Sequence, residues 1–176
     1  MVVTVLILLA AVAAFFASRS GDDPTTPSGD GSVAIASAST FDPPPGDGRE
    51  HPDEVPLAID GDDTTAWTSE TYKDPKAMAG KDGVGLVLSL EEAASLGQVD
   101  LQTAEGGWSA QVYAVDGDVP ADLAGWGAPL ASVQGADAGL TRLTLDPVTA
   151  DQVMVWFTQV PASGAVQVSE ATVRSR

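Results

Sequence analysis

The sequence contains no cysteine, so no disulfide ties it together and no thiolate can serve as nucleophile or metal ligand. Histidine occurs once, at His51. One imidazole without Cys or Ser partners builds neither a zinc site nor a triad, and His51 is expected as an exposed loop residue. Basic residues are scarce: 8 Lys and Arg stand against 25 Asp and Glu, giving a formal charge of −17. That balance excludes nucleic acid, whose phosphates would be repelled, and docking on anionic lipid. Gly-x-Ser-x-Gly, P-loop and zinc-ligand spacings are missing, and no carboxylate pair falls at strand ends beside a basic or aromatic pocket. The sequence is therefore read as non-catalytic, with no catalytic residue assigned.

What is present is unevenly placed. Hydrophobic residues make up 44% of the 176 positions, enough for a core in one domain of ordinary size. Met1 to Ala17 carry no charge and one polar side chain, Thr4. As a helix this run spans roughly 25 Å, just short of a bilayer's hydrocarbon core. No basic region precedes it, so a transmembrane anchor is preferred to a secretory signal cleaved near Ala11-Val12-Ala13. A run that starts at Met1 also fits a piece of a larger membrane protein. Either reading sends the acidic remainder out of the cytoplasm, placing residues 18–176 on the outer face of a cell membrane. Residues 18–32, SRSGDDPTTPSGDGS, have no large apolar side chain and read as a disordered acidic linker.

From Val33 the pattern has period two, the mark of half-buried strands. Val84, Leu86, Leu88 and Leu90 share one face, as do Val99 and Leu101, Ala110, Val112 and Ala114, Leu143 and Leu145, and Val153, Val155 and Phe157. Val166 and Val168 open the last run. Turns are expected at Gly106-Gly107, Asp116-Gly117-Asp118, Asp146-Pro147 and Ser163-Gly164, with short helical turns near Glu91–Leu96 or Ala121–Gly125. Seven or eight strands at intervals of about ten residues imply an all-β antiparallel sandwich or jelly roll over residues 33–176.

The segment Asp60-Gly61-Asp62-Asp63-Thr64-Thr65-Ala66-Trp67 concentrates three carboxylates and two hydroxyls in a Gly-containing turn. Hard cations such as calcium take six to eight oxygens, and a tight turn supplies both side-chain and carbonyl oxygens. The plain alternative is an Asp-Gly turn capped by Asp and Thr side chains. A second acidic group, Asp42, Asp47, Glu50, Asp53 and Glu54, reads as a solvated loop, or else as part of a cation site. Trp67 and Trp156 lie in strand-like patterns and are expected in the core. Trp126 is ambiguous. Trp108 and Tyr72 lie in loop-like contexts and are the candidate ligand contacts, since aromatic faces bind the apolar side of sugar rings.

Asp60-Gly61-(x)3-Thr65-x-Trp67 resembles the opening signature of the discoidin family, the coagulation factor V/VIII type C group, with its relatives the family 32 carbohydrate-binding modules. The resemblance implies a galactose-binding-like jelly roll whose Asp-Gly loop holds a structural calcium, closed by a Glu of the last strand. The segment Ala165–Val173 is similar to that strand and puts Glu170 in the matching role, so the implied calcium ligands are Asp60, Asp63, Thr65 and Glu170. More narrowly, Phe41-Asp42-Pro43, Ala58-Ile59-Asp60-Gly61 and Val153–Thr158 resemble the extracytoplasmic C-terminal domain of actinobacterial MviN/MurJ-type membrane proteins. The expectation is a membrane-anchored binding module for cell-wall glycan or a glycan precursor. The alternative is a domain that binds an envelope protein, or acts as a spacer, and binds no sugar. Fold analogy serves both equally.

Overall fold

The computed structural model describes residues 31–176, so the expected anchor at 1–17 and all but the end of the linker at 18–32 lie outside the described residues. Eight strands form in the order β1 (Ser32–Val33), β2 (Ile35–Phe41), β3 (Trp67–Thr68), β4 (Val84–Thr103), β5 (Ser109–Val115), β6 (Ala131–Val133), β7 (Gly139–Gln159) and β8 (Gln167–Ser175). Three short 3-10 turns, Pro52–Ala58, Met78–Gly80 and Leu123–Trp126, accompany them. Among the described residues no helix is long and apolar enough to cross a membrane.

Every strand pairing is antiparallel, in the order β1-β8-β4-β7-β5-β6, with β2 added on β4 and β3 on β8. The frame is a ribbon of the two longest strands. The first part of β4 pairs with the last part of β7, Val84 opposite Phe157. The second part of β4 pairs with the first part of β7, down to Thr103 opposite Gly139. Pairing breaks between Ser89 and Ala94, and again between Leu96 and Gln98. Bulges of this kind bend a strand and raise its twist. On one side of the breaks β4 is flanked by β2, and on the other by β8, so the ribbon passes from one layer to the next.

The period-two pattern then does what it implies. Leu86, Leu88, Leu96, Leu101, Val153 and Val155, drawn from both parts of the ribbon, pack into one core with Val168 and Val173 of β8. This antiparallel arrangement is consistent with a β-sandwich. The two expected interruptions of the ribbon are corrected by the bulges. Glu91–Leu96 is strand, not helix. Asp146-Pro147 lies inside β7, where Pro147 falls in the unpaired stretch between Thr144 and Val148. Proline lacks the N–H a ladder requires, and a bulge is where a strand tolerates it.

The opposite face of the β2-β4-β7-β5 layer carries a second, smaller apolar cluster of Phe41, Val87, Tyr113, Trp126, Met154 and Trp156. The turn Leu123–Trp126 folds back over this face. It brings Trp126 edge-on to Phe41 at 5.9 Å, and Phe41 in turn meets Trp156 at 5.8 Å. Gly85 makes the approach possible: a Cβ there would stand 2.8 Å from Phe41 Cβ.

Candidate functional site

The register of β3 explains the position of the Asp60–Thr65 loop. Trp67 lies opposite Val168 and Thr68 opposite Gln167. Continued backwards along the chain, that register carries the residues before Trp67 towards those after Val168, where Glu170 stands. The Gly61 N–H donates to Glu170 Oε2 at 3.0 Å. Within the loop, Asp60 Oδ1 accepts from the Asp62 N–H at 2.9 Å and Asp60 Oδ2 accepts from Thr65 Oγ1 at 2.8 Å. Asp62 Oδ1 accepts from both the N–H and the hydroxyl of Thr64, at 3.0 and 2.6 Å, which holds its pKa below the usual carboxylate range. Gly61 has φ +77°, a conformation that costs other residues energy.

Three of the four expected cation ligands, Asp60, Thr65 and Glu170, are thus brought together. Asp63 is not: it is exposed and takes no part in the loop's hydrogen bonds. The carboxylate that organises the turn is Asp62, one residue earlier. Among the described residues no group of three or more His, Cys, Asp and Glu is arranged to hold a metal ion; of the expected acidic ligands, Asp60 and Glu170 are the two that come together. Burial pushes the Glu170 pKa up, the Gly61 N–H pulls it back, and the nearby Asp60 charge raises it again. No basic side chain of the described residues makes an ion pair with either carboxylate.

The second acidic group departs furthest from its expected role as a solvated loop. Asp47, Asp53 and Glu54 are exposed, but the Asp42 and Glu50 side chains are fully buried. Lys81, itself only 10% exposed, bridges them, with Nζ 3.0 Å from Asp42 Oδ2 and 2.7 Å from Glu50 Oε1. Glu50 Oε1 also accepts from the Tyr72 hydroxyl, Oε2 accepts from the Glu70 N–H at 2.8 Å, and the Glu50 carbonyl accepts from Trp67 Nε1 at 2.7 Å. Asp42 Oδ2 further accepts from the N–H groups of Asp47 and Gly48, both at 2.9 Å. Burial pulls the Lys81 pKa down, but hydrogen bonds to Glu50, Tyr72 and Asp42 outweigh it and leave the ammonium more firmly protonated than in water. Buried charges persist only when paired and hydrogen-bonded, and this group satisfies nearly every atom; Asp42 Oδ1 alone has no partner.

That network corrects one of the two expected ligand contacts. Tyr72 is buried, its hydroxyl spent on Glu50 and its ring 5.4 Å from Lys81 Nζ. Burial and the bond to Glu50 raise its pKa, and Lys81 only partly opposes them. Trp108 is corrected too, being fully buried. Gly107, at φ +90°, turns the chain inward, so that Trp108 packs edge-on to Phe157 at 5.6 Å and donates Nε1 to Thr103 Oγ1 at 3.1 Å. Neither presents a ring face to a ligand. Trp67, Trp126 and Trp156 are buried as well, and the two expected in the core are found there. His51 is exposed as expected, with Nδ1 donating to the Thr68 carbonyl at 2.7 Å; that bond raises its pKa.

No protein-family model matches the chain. Solved structures do match its fold. Chitosan-binding module 2 of the chitosanase/glucanase from Paenibacillus sp. IK-5, solved with chitotriose, is 19% identical with a TM-score of 0.60, covering 81% of this chain and 98% of that one. A pectin-binding carbohydrate-binding module is 16% identical with a TM-score of 0.58, covering 81% and 92%. CpGH89CBM32-5 from Clostridium perfringens, solved with GalNAc-β-1,3-galactose, is 16% identical with a TM-score of 0.56, covering 79% and 94%. The chain therefore has the galactose-binding-like fold of carbohydrate-binding modules, family 32 among them, and the discoidin-type resemblance of its sequence holds at the level of fold. The narrower resemblance to MviN/MurJ-type proteins gains no support from these matches. Some of the matching modules are parts of enzymes, as in the alginate lyase AlyQ with its CBM32 domain.

Proposed function

We propose that the chain is a non-catalytic glycan-binding module held on the outer face of a cell membrane by residues 1–17 and directed at cell-wall glycan or a glycan precursor. One observation carries the binding part of this reading: two modules solved with different oligosaccharides and a third described as pectin-binding share this fold over about four-fifths of the chain. One feature of the surface counts against the protein-docking alternative. Among the described residues the exposed large hydrophobic side chains are Val119 and Leu140, and two such residues do not make the contiguous apolar patch a protein partner needs.

A structural calcium belongs to the same proposal. Asp60, Thr65 and Glu170 offer hard oxygen donors, and two carboxylates close together without a basic partner are the electrostatic condition a divalent cation relieves. With two acidic ligands the remaining oxygens would come from hydroxyl and carbonyl groups of the loop. The cation would tie the loop to β8 and support the sandwich; it would take no part in chemistry. Co-sedimentation with insoluble peptidoglycan, arabinogalactan and chitosan tests the binding claim. Retention on at least one of them supports it, and retention on none favours the spacer or protein-binding alternative.

A further inference from the structure

The buried Trp156 lies beside a hollow. A hollow of about 120 Å³ lies where the Pro43–Pro45 run, residues 81–83 and the Asp122–Leu123 turn meet, and Trp156 forms part of its wall. The edge of the indole lies against Gly83: a Cβ on that glycine would stand 2.5 Å from Trp156 Cε2 and 2.7 Å from Nε1. Gly83 therefore lets the indole edge pack against the backbone at the wall of the hollow, where any side chain would collide with it. Trp156 is 3% exposed, and its Nε1 donates to none of the described residues. Unlike Trp126 Nε1, it is not sealed from solvent. A donor held rigid in a core, unpaired, and open to a hollow is a binding feature by the ordinary rule that buried polar groups find partners.

The rest of the wall sets the chemistry. The three proline rings give rigid apolar surface of the kind that packs on the C–H face of a pyranose. Three ionisable residues line the hollow: Lys81, Asp82 and Asp122. Lys81 is committed to Asp42 and Glu50. Asp122 gives Oδ1 to the Gly125 N–H at 3.0 Å and keeps Oδ2. Asp82 is exposed and forms no hydrogen bond among the described residues. The charge left for a ligand is negative, on a molecule of net charge −17.

We propose, resting on the glycan-binding reading above, that this hollow is a saccharide subsite for a hexosamine ring bearing a free amine. Asp82 and Asp122 hold the ammonium, Trp156 Nε1 donates to a ring hydroxyl, and the prolines pack against the ring. Uronic acid units are rejected by the same two carboxylates.

Calorimetric titration of the 176-residue chain with three trisaccharides tests this: glucosamine, N-acetylglucosamine and galacturonic acid trimers. The free-amine trimer binds at least about tenfold more tightly than the other two, the scale of a hydrogen bond between charged partners. The double variant Asp82→Asn/Asp122→Asn, which keeps shape and exposure, abolishes that preference without moving the melting temperature. Trp156→Phe weakens binding about 2–10-fold, the scale of one neutral hydrogen bond. If Trp156→Phe does not fold, the double Asn variant decides alone. Glucosamine binding unchanged in the variants overturns the site while leaving the glycan-binding reading intact. Equal binding of the acetylated trimer overturns the amine assignment. No binding of any trimer, with no retention on any insoluble glycan, overturns both.

Discussion

Gly61 and Glu170, 109 residues apart, are joined by a 3.0 Å hydrogen bond that closes the acidic loop onto the last strand. Glu170 is half-buried beside Asp60, and its pKa is raised. In the native state it therefore holds its proton to a higher pH than it does unfolded. Without a cation, stability falls as pH rises from the ordinary glutamate value through the raised one. Calcium should reverse this by favouring both carboxylates in their charged form. At a concentration a hundred times its Kd the gain is about 2.7 kcal/mol. Thermal melts with calcium and with a chelator, for the native chain and Glu170→Gln, measure it: the native chain gains and the variant does not. Equal melting temperatures for the native chain in both conditions would remove calcium from the account.

Lys81 is the sole basic partner of the buried Asp42 and Glu50 among the described residues. Lys81→Met keeps the length of the side chain and leaves two carboxylates buried without a counter-charge. The expected loss is about 3–5 kcal/mol, the usual result of orphaning a buried charge. Urea unfolding of the variant measures it. Glu50→Gln should cost less, because Asp42 still balances Lys81.

Trp67 combines the tilted packing of its ring on Phe157, at 6.3 Å, with the bond from Nε1 to the Glu50 carbonyl. Trp67→Phe removes the donor, leaves that buried carbonyl without it, and opens a void. The loss should be about 2–4 kcal/mol in equilibrium unfolding.

His51 gives a smaller effect of pH with the same sign, in the window above the ordinary histidine value. Its bond to the Thr68 carbonyl raises its pKa, so its stabilisation is full below the unfolded value and disappears as pH rises through the folded one. Because the ring is exposed, the whole effect should stay below about 1 kcal/mol. His51→Ala should flatten the stability profile in that window and leave it unchanged elsewhere.

The sequence was most legible where one rule acted alone. Period-two runs such as Val84–Leu90 and Val153–Phe157 are strands whose alternate residues face the main core, while Val87, Met154 and Trp156 between them face the smaller cluster. The family resemblance of the Asp60–Trp67 segment and of the last strand pointed to the loop and to Glu170 together, and the register of β3 on β8 brings Gly61 to Glu170. The sequence is least legible where loops fold inward. Asp42, Glu50 and Tyr72 have the local composition of an exposed loop, and only Lys81, 31 residues beyond Glu50, makes their burial affordable. Trp108 follows two glycines and looked exposed, yet Gly107 turns it into the core. One signal was available: a lone lysine just before a strand, in a chain with three lysines, facing an excess of acids.

The glycan-binding reading is tested most directly by an array of defined neutral, amine-bearing and acidic oligosaccharides probed with the 176-residue chain. The account predicts selective binding to a subset of neutral or amine-bearing glycans and none to uronic acid oligomers. Absence of binding to every glycan, by a chain that melts cooperatively, would contradict it.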